Sequence, residues 1–124
     1  DKNFGRYRHN TTIVDTLFTD NPVFAHALKH YPADCMIKDT AIRSLSPSGI
    51  ALLKLYALPS LYLQGQHIRV ATYEQDLEVL FIVEPNIDED ALLKFLSKHL
   101  VESQIIELKH TCEDIRRKLS RKRF

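Results

Sequence analysis

The chain has 124 residues, 44% of them hydrophobic and 27% charged, with a formal net charge of +1. That balance excludes global disorder and suits one domain with a real core. No stretch approaches the roughly 18 uninterrupted apolar residues of a membrane span, so no transmembrane segment is expected.

In chain order, the first ten residues show no clear period, and Thr11 to Phe18 reads equally as a short helix or a strand. Asn21 can cap a helix whose first position is Pro22, since the missing proline N–H is not needed there. Val23, Phe24, Ala27, Leu28 and Tyr31 share one face of that helix, and Pro32 ends it. Residues 35–45 alternate loosely and suggest extended chain. Ser46-Pro47-Ser48-Gly49 is a turn or a helix start. Ile50 to Leu58 suits a short helix with Pro59 just beyond its end.

Leu61 to Leu63 and His67 to Tyr73 read as strands joined by Gln64-Gly65-Gln66. Glu78 to Glu84 reads as a central strand, because its continuous apolar run suits cover on both faces. Asp88 opens the best helix, to Leu100, with Glu89 and Asp90 favoured by the helix dipole and Ile87 able to staple onto Leu92. Leu92, Leu93, Leu96 and Leu100 form its stripe. Gln104 to Lys109 alternates like a strand. Thr111 is the expected cap of a last helix, with Asp114 in the capping-box position and Cys112, Ile115 and Leu119 on one face. The expected class is α+β, an α/β sandwich with a small mixed sheet and a C-terminal β-α-β-α unit.

Charge divides the chain unevenly. Residues 116–124 hold six of the 17 basic side chains and no acid, so the other 115 carry 11 bases against 16 acids. A single domain over 1–115 is expected, followed by a basic helix end or linker over 116–124. Arg116, Arg117, Lys118, Arg121, Lys122 and Arg123 are the candidate contacts to nucleic acid phosphates or anionic lipid headgroups. The start, Asp1-Lys2-Asn3-Phe4, lacks a basic region followed by an apolar stretch, so no secretory leader is expected. Without an initiator Met, the chain reads as a fragment or a processed product. Cys35 and Cys112 could form one bridge, but neither lies in a Cys-x-x-Cys pair. Both are expected reduced, in or near the core of a cytoplasmic domain, or one at the inner face of the membrane.

Two stretches carry a resemblance. Ile50-Ala-Leu-Leu-Lys-Leu-Tyr-Ala-Leu-Pro59 resembles the short helix ending in a leucine-proline step in the N-terminal domain of type II secretion and type IV pilus assembly ATPases. Residues 79–119 resemble that domain's closing unit: a strand ending in proline, an acid-capped helix, a short strand and a helix opening with Glu113-Asp114-Ile115. The resemblance implies a docking or regulatory module of an envelope machine. It implies no ATPase chemistry, since no Gly-rich loop followed by Lys-Ser/Thr is present. The arginine-leucine-glycine motif of the members that bind cyclic dinucleotides is absent, Gly5-Arg6 being the nearest trace.

Other chemistry has thin support. His26 and His30, four apart, are weak metal candidates with no Glu after His26, and they are read as surface histidines beside Lys29. Ala25-His26-Ala27-Leu28-Lys29 also resembles the phosphorylated helix of histidine phosphotransfer domains, with His30 where those carry glycine. The carboxylates at 88–90 are explained by capping, and no nucleophile elbow is present. No catalytic residue, cofactor or metal is expected. Tyr56, Tyr62 and Tyr73 are candidates for a protein-binding surface. The leading expectation is a non-catalytic protein-interaction domain of a larger bacterial protein, bound to another protein of the same assembly. The alternatives are a nucleic-acid-associated domain using the basic tail, a small-ligand or cyclic-dinucleotide sensor using Arg6, Arg8 and Arg69, and a phosphotransfer-related signalling domain.

Overall fold

A computed structural model describes the backbone of residues 4–9 and 12–17, and both backbone and side chains of residues 21–122. Strand β1 (Phe4–His9) pairs antiparallel with β2 (Thr12–Leu17), Phe4 lying opposite Leu17 and His9 opposite Thr12. Helix α1 (Pro22–His30) follows. The second hairpin pairs β3 (Pro32–Ile37) with β4 (Thr40–Leu45), and four helices complete the chain: α2 (Pro47–Leu63), α3 (His67–Val83), α4 (Glu89–Leu96) and α5 (Glu102–Arg121). The class is α+β, with helix predominating.

Several local expectations are met. The Asn21 side chain accepts from the backbone N–H of Val23 at 2.9 Å and of Phe24 at 3.4 Å, with Pro22 next in line. The Asp88 carboxylate accepts from the Ala91 N–H at 3.1 Å, and Ile87 and Leu92 are both buried in one core. Ser46 starts α2 by accepting from the Gly49 N–H. A side chain at Gly49 would press on the Cβ atoms of Leu45 and Tyr31 and on the Tyr31 carbonyl, each 3.1 Å away, so glycine lets α2 start this close to the preceding hairpin without a shift of its neighbours. That hairpin turns at Lys38 and Asp39, both at positive φ (49° and 62°), as a two-residue type I′ connection requires.

The expected mixed sheet is replaced, among the described residues, by two separate antiparallel hairpins. The β-α-β-α unit is also corrected, because its two strands are helical. Residues 61–63 and 67–73, read as the strands of a hairpin, end α2 and start α3, and 78–83 of the expected central strand complete α3. Val70, Tyr73, Leu77, Leu80 and Phe81 recur at helical spacing and pack on the core, which outweighs the strand preference of the β-branched residues between them. Residues 104–109 belong to α5 for the same reason: Ile105, Leu108, Cys112, Ile115 and Leu119 continue one stripe through them. Thr111 therefore caps nothing. It is buried mid-helix, and α5 instead begins where the Gln104 side chain accepts from the Val101 N–H at 3.0 Å. Helix α4 stops at Leu96, and residues 97–100 turn back on its last carbonyls.

Helix α2 passes through Pro59 where a stop was expected. Proline inside a helix costs about 3 kcal/mol. Continuing for another turn buries Pro59 and Leu61 and half-buries Tyr62, which offsets that cost. Helix α2 is apolar on most sides (Ala51, Leu52, Leu55, Leu58) because it is the central element, touching α1, α3 and α5. Its partners contribute Val23, Ala27, Leu77, Phe81, Leu108, Cys112 and Ile115 to one core.

Candidate interaction surface

Helix α3 buries one face and leaves the opposite face apolar. At 100° per residue, Leu77 and Phe81 point to the core, while Ile68, Gln75 and Ile82 run along the far side, seven residues apart. Ile68 is 85% exposed, Ile82 58% and Val83 66%, with Ala71, Thr72 and Val79 also exposed beside them. Leu63, at the end of α2 just before the turn into α3, is 88% exposed. Scattered exposed apolar residues are ordinary, but an uncharged stripe about 21 Å long on one helix is the candidate interaction surface among the described residues.

Charges bound this stripe without entering it. On one flank Asp76 pairs with Lys54 of α2 at 3.1 Å, and on the other Glu78 pairs with Lys122 at the end of α5, also at 3.1 Å. Burial raises the pKa of Glu74, with Lys118 opposing. The sequence alone did not single this surface out. Its signal was the continuous apolar run at 79–83, which suits a strand covered on both sides. In a helix the same run covers two opposite faces, and the core occupies only one.

The three candidate tyrosines are packing residues with polar tips. Tyr56 meets Phe24 edge-on at 6.5 Å between ring centroids. The Tyr62 hydroxyl lies 2.9 Å from the Thr111 hydroxyl, joining α2 to α5, and burial raises its pKa. Tyr73 carries the Lys54 ammonium over its ring at 4.1 Å, with the Arg69 guanidinium at 5.9 Å. All three are half-buried.

The basic C-terminus is largely built into α5. Arg116 donates to both oxygens of Glu89 and to the Ile87 carbonyl, with its guanidinium 4.3 Å over the Phe81 ring. Burial pushes the Glu89 carboxyl up, but the Arg116 hydrogen bonds, a backbone hydrogen bond and the Arg116 charge together outweigh it and leave the pKa below the usual value. Arg117 pairs with Asp114 within the helix, and Lys122 pairs with Glu78. Lys118 and Arg121 are exposed, with no ion pair among the described residues. Arg123 lies outside the described residues, as do the side chains of Arg6 and Arg8 in β1. The third sensor candidate, Arg69, is exposed beside Tyr73.

His26 is not the plain surface residue expected from its place on the helix. It is half-buried, stacked on Phe95 with centroids 3.6 Å apart and planes 11° from parallel, and its ring is 4.2 Å from that of the exposed His30. His99 approaches the other side of the group, 5.0 Å from Phe95. Among the described residues, no three or more His, Cys, Asp or Glu side chains are placed to hold a metal ion. Both cysteines are free. Cys112 is buried, with its thiol pushed up to about 12 by burial, whereas Cys35, expected in or near the core, is exposed on β3.

Neither a family model nor a curated protein nor a solved structure matches this chain. Among the described residues, no helix is long and apolar enough to cross a membrane.

Proposed function

We propose that the chain is a non-catalytic protein-interaction domain of a larger bacterial protein, which grips another protein of the same assembly. The observation that carries this reading is the uncharged stripe of α3, where Ile68, Val79, Ile82 and Val83 stay exposed while the charges beside them pair within the chain. Protein partners cover such faces with apolar anchors, and a helix laid alongside is the simplest complement.

Membership of a secretion or pilus machine is the narrower form of this proposal. It draws on the helical residues 50–59 and on the acid-capped α4, although α2 runs on through Pro59 where the resemblance has the helix end. The stretches 79–85 and 104–108 give it no support, being helical rather than extended through 83 and over 104–108. Phosphate or lipid binding through residues 116–122 is the weaker reading, because Arg116, Arg117 and Lys122 are already engaged with carboxylates.

The test is cross-linked capture from bacterial lysate with the native chain and an Ile82→Glu variant, each at low and high salt. Retention of the same protein at both salts, lost in the variant, supports docking through α3. Retention that vanishes at high salt and ignores Ile82→Glu points to polyanion binding and overturns the proposal.

A further inference from the structure

We infer that the C-terminal half of α1 and the turn that follows α4 form a binding site for a phosphate group, built from the imidazoles of His26, His30 and His99 and the ammonium groups of Lys29 and Lys98. This goes beyond the docking reading and does not rest on it, since none of these residues lies on α3.

The groups are gathered in one place. The rings of His30, His26, Phe95 and His99 follow one another with successive centroids 4.2, 3.6 and 5.0 Å apart. The charges of His30, Lys98, His99 and Lys29 all act on His26. Stacking on Phe95 ties His26 to α4, so two separate stretches of chain contribute to one cluster.

None of the five basic side chains has a hydrogen bond or ion pair among the described residues. Nor does the surface around them supply an acid. Helix α1 carries none, and neither do residues 91–101. The acids of α4 lie in its first turn, where Arg116 holds Glu89. Asp34 of β3 and Asp39 in the hairpin turn are not among the charges that act on His26.

Helix dipoles explain only part of this clustering. Lys29 and His30 suit the C-terminal end of α1. The last carbonyls of α4 are already satisfied. Those of Leu93, Phe95 and Leu96 accept from the N–H groups of residues 97–100, and that of Lys94 accepts from the Ser97 hydroxyl. Lys98 and His99 are therefore left over as caps. Gathered cations with no counter-charge gain most from a dianion, and a phosphate group also offers an oxygen to each of several N–H donors. Every imidazole that takes up a proton adds an N–H to the site. Bound phosphate should therefore raise the pKa of all three histidines and oppose the loss of stability in acid.

The test is an NMR titration of the histidine ring signals of the full chain with inorganic phosphate at about pH 6.5 and constant ionic strength, with acetate as the reference anion. His67 on α3 and His110 on α5 are exposed elsewhere and act as internal controls. The signals of His26, His30 and His99 should move together and saturate with a Kd of about 1 mM, while the controls stay still. Lys29→Gln combined with Lys98→Gln, its folding checked by thermal unfolding, should weaken binding about tenfold. Equal shifts at all histidines, shifts that never saturate, an equal response to acetate, or unchanged affinity in the double variant each overturn the inference. A single-stranded oligonucleotide that binds here where inorganic phosphate gives no shift also overturns it, and assigns the patch to nucleic acid.

Discussion

Arg116 of α5 grips Glu89 at the start of α4 with two hydrogen bonds, 3.1 and 2.9 Å long, and uses its remaining reach on the Ile87 carbonyl. One guanidinium thus fixes the loop before α4, the first turn of α4 and the face of Phe81. The planar fork matches this geometry and an ammonium does not. Arg116→Lys is expected to lower stability by about 2 kcal/mol, measured by urea unfolding. An unchanged midpoint would show that the pair is no more than an exposed surface bridge. A deletion of 116–124 would therefore damage the fold, so the basic tail is better probed by Lys118→Glu and Arg121→Glu.

The hydroxyl pair between Tyr62 and Thr111 is the polar link across the α2–α5 contact. Thr111 also donates to the Glu107 carbonyl at 3.2 Å. Tyr62→Phe is expected to cost about 1 kcal/mol, and Thr111→Val a similar amount. The double variant should cost less than the two combined, because both remove one shared bond. Additive losses would place the energy in packing alone.

Acid should loosen the contact between α1 and the end of α4. Burial lowers the pKa of His26 below the ordinary 6.5, and His30, Lys98, His99 and Lys29 add to the effect in that order. Among the described residues, the groups whose charge acts on the ring are all basic. The folded state therefore binds this proton less readily than the unfolded state, so stability is full above about pH 6.5 and declines as the pH falls below it. The melting temperature should drop between pH 7.5 and 5.5, and His26→Phe, which keeps a ring on Phe95, should flatten that part of the curve. An equal slope in the variant would assign it to other groups.

Thiol labelling should divide the two cysteines. Cys35 is exposed, whereas Cys112 is buried with its thiol pushed up to about 12, which leaves almost no thiolate at neutral pH. One equivalent should react in the native chain and the second only on unfolding. Rapid reaction of both would mean that α5 opens readily.

The two faces of α3 should respond oppositely to substitution. Leu77→Ala empties a fully buried site and should cost 2–5 kcal/mol, on the order of other core truncations. Ile82→Glu on the exposed face should change the stability of the isolated chain by less than about 0.5 kcal/mol. A large loss there would mean that Ile82 is covered within the single chain.

Local chemistry alone determined the start of α1 at Asn21-Pro22, the start of α4 at Asp88, the extended chain of 35–45, and the core roles of Leu92, Leu93, Leu96, Cys112 and Ile115. Those features rest on caps, prolines and short-range spacing, which act within a turn or two of chain. Tertiary packing decided the rest. Ile68, Val70, Thr72, Val79, Ile82 and Val83 prefer strands locally, and only the burial of Leu77 and Phe81 against α2 and α5 makes 67–83 a helix. The outward stripe of α3 exists for the same reason. A run apolar on every side has one face buried and one exposed only when the other helices have chosen which face to cover.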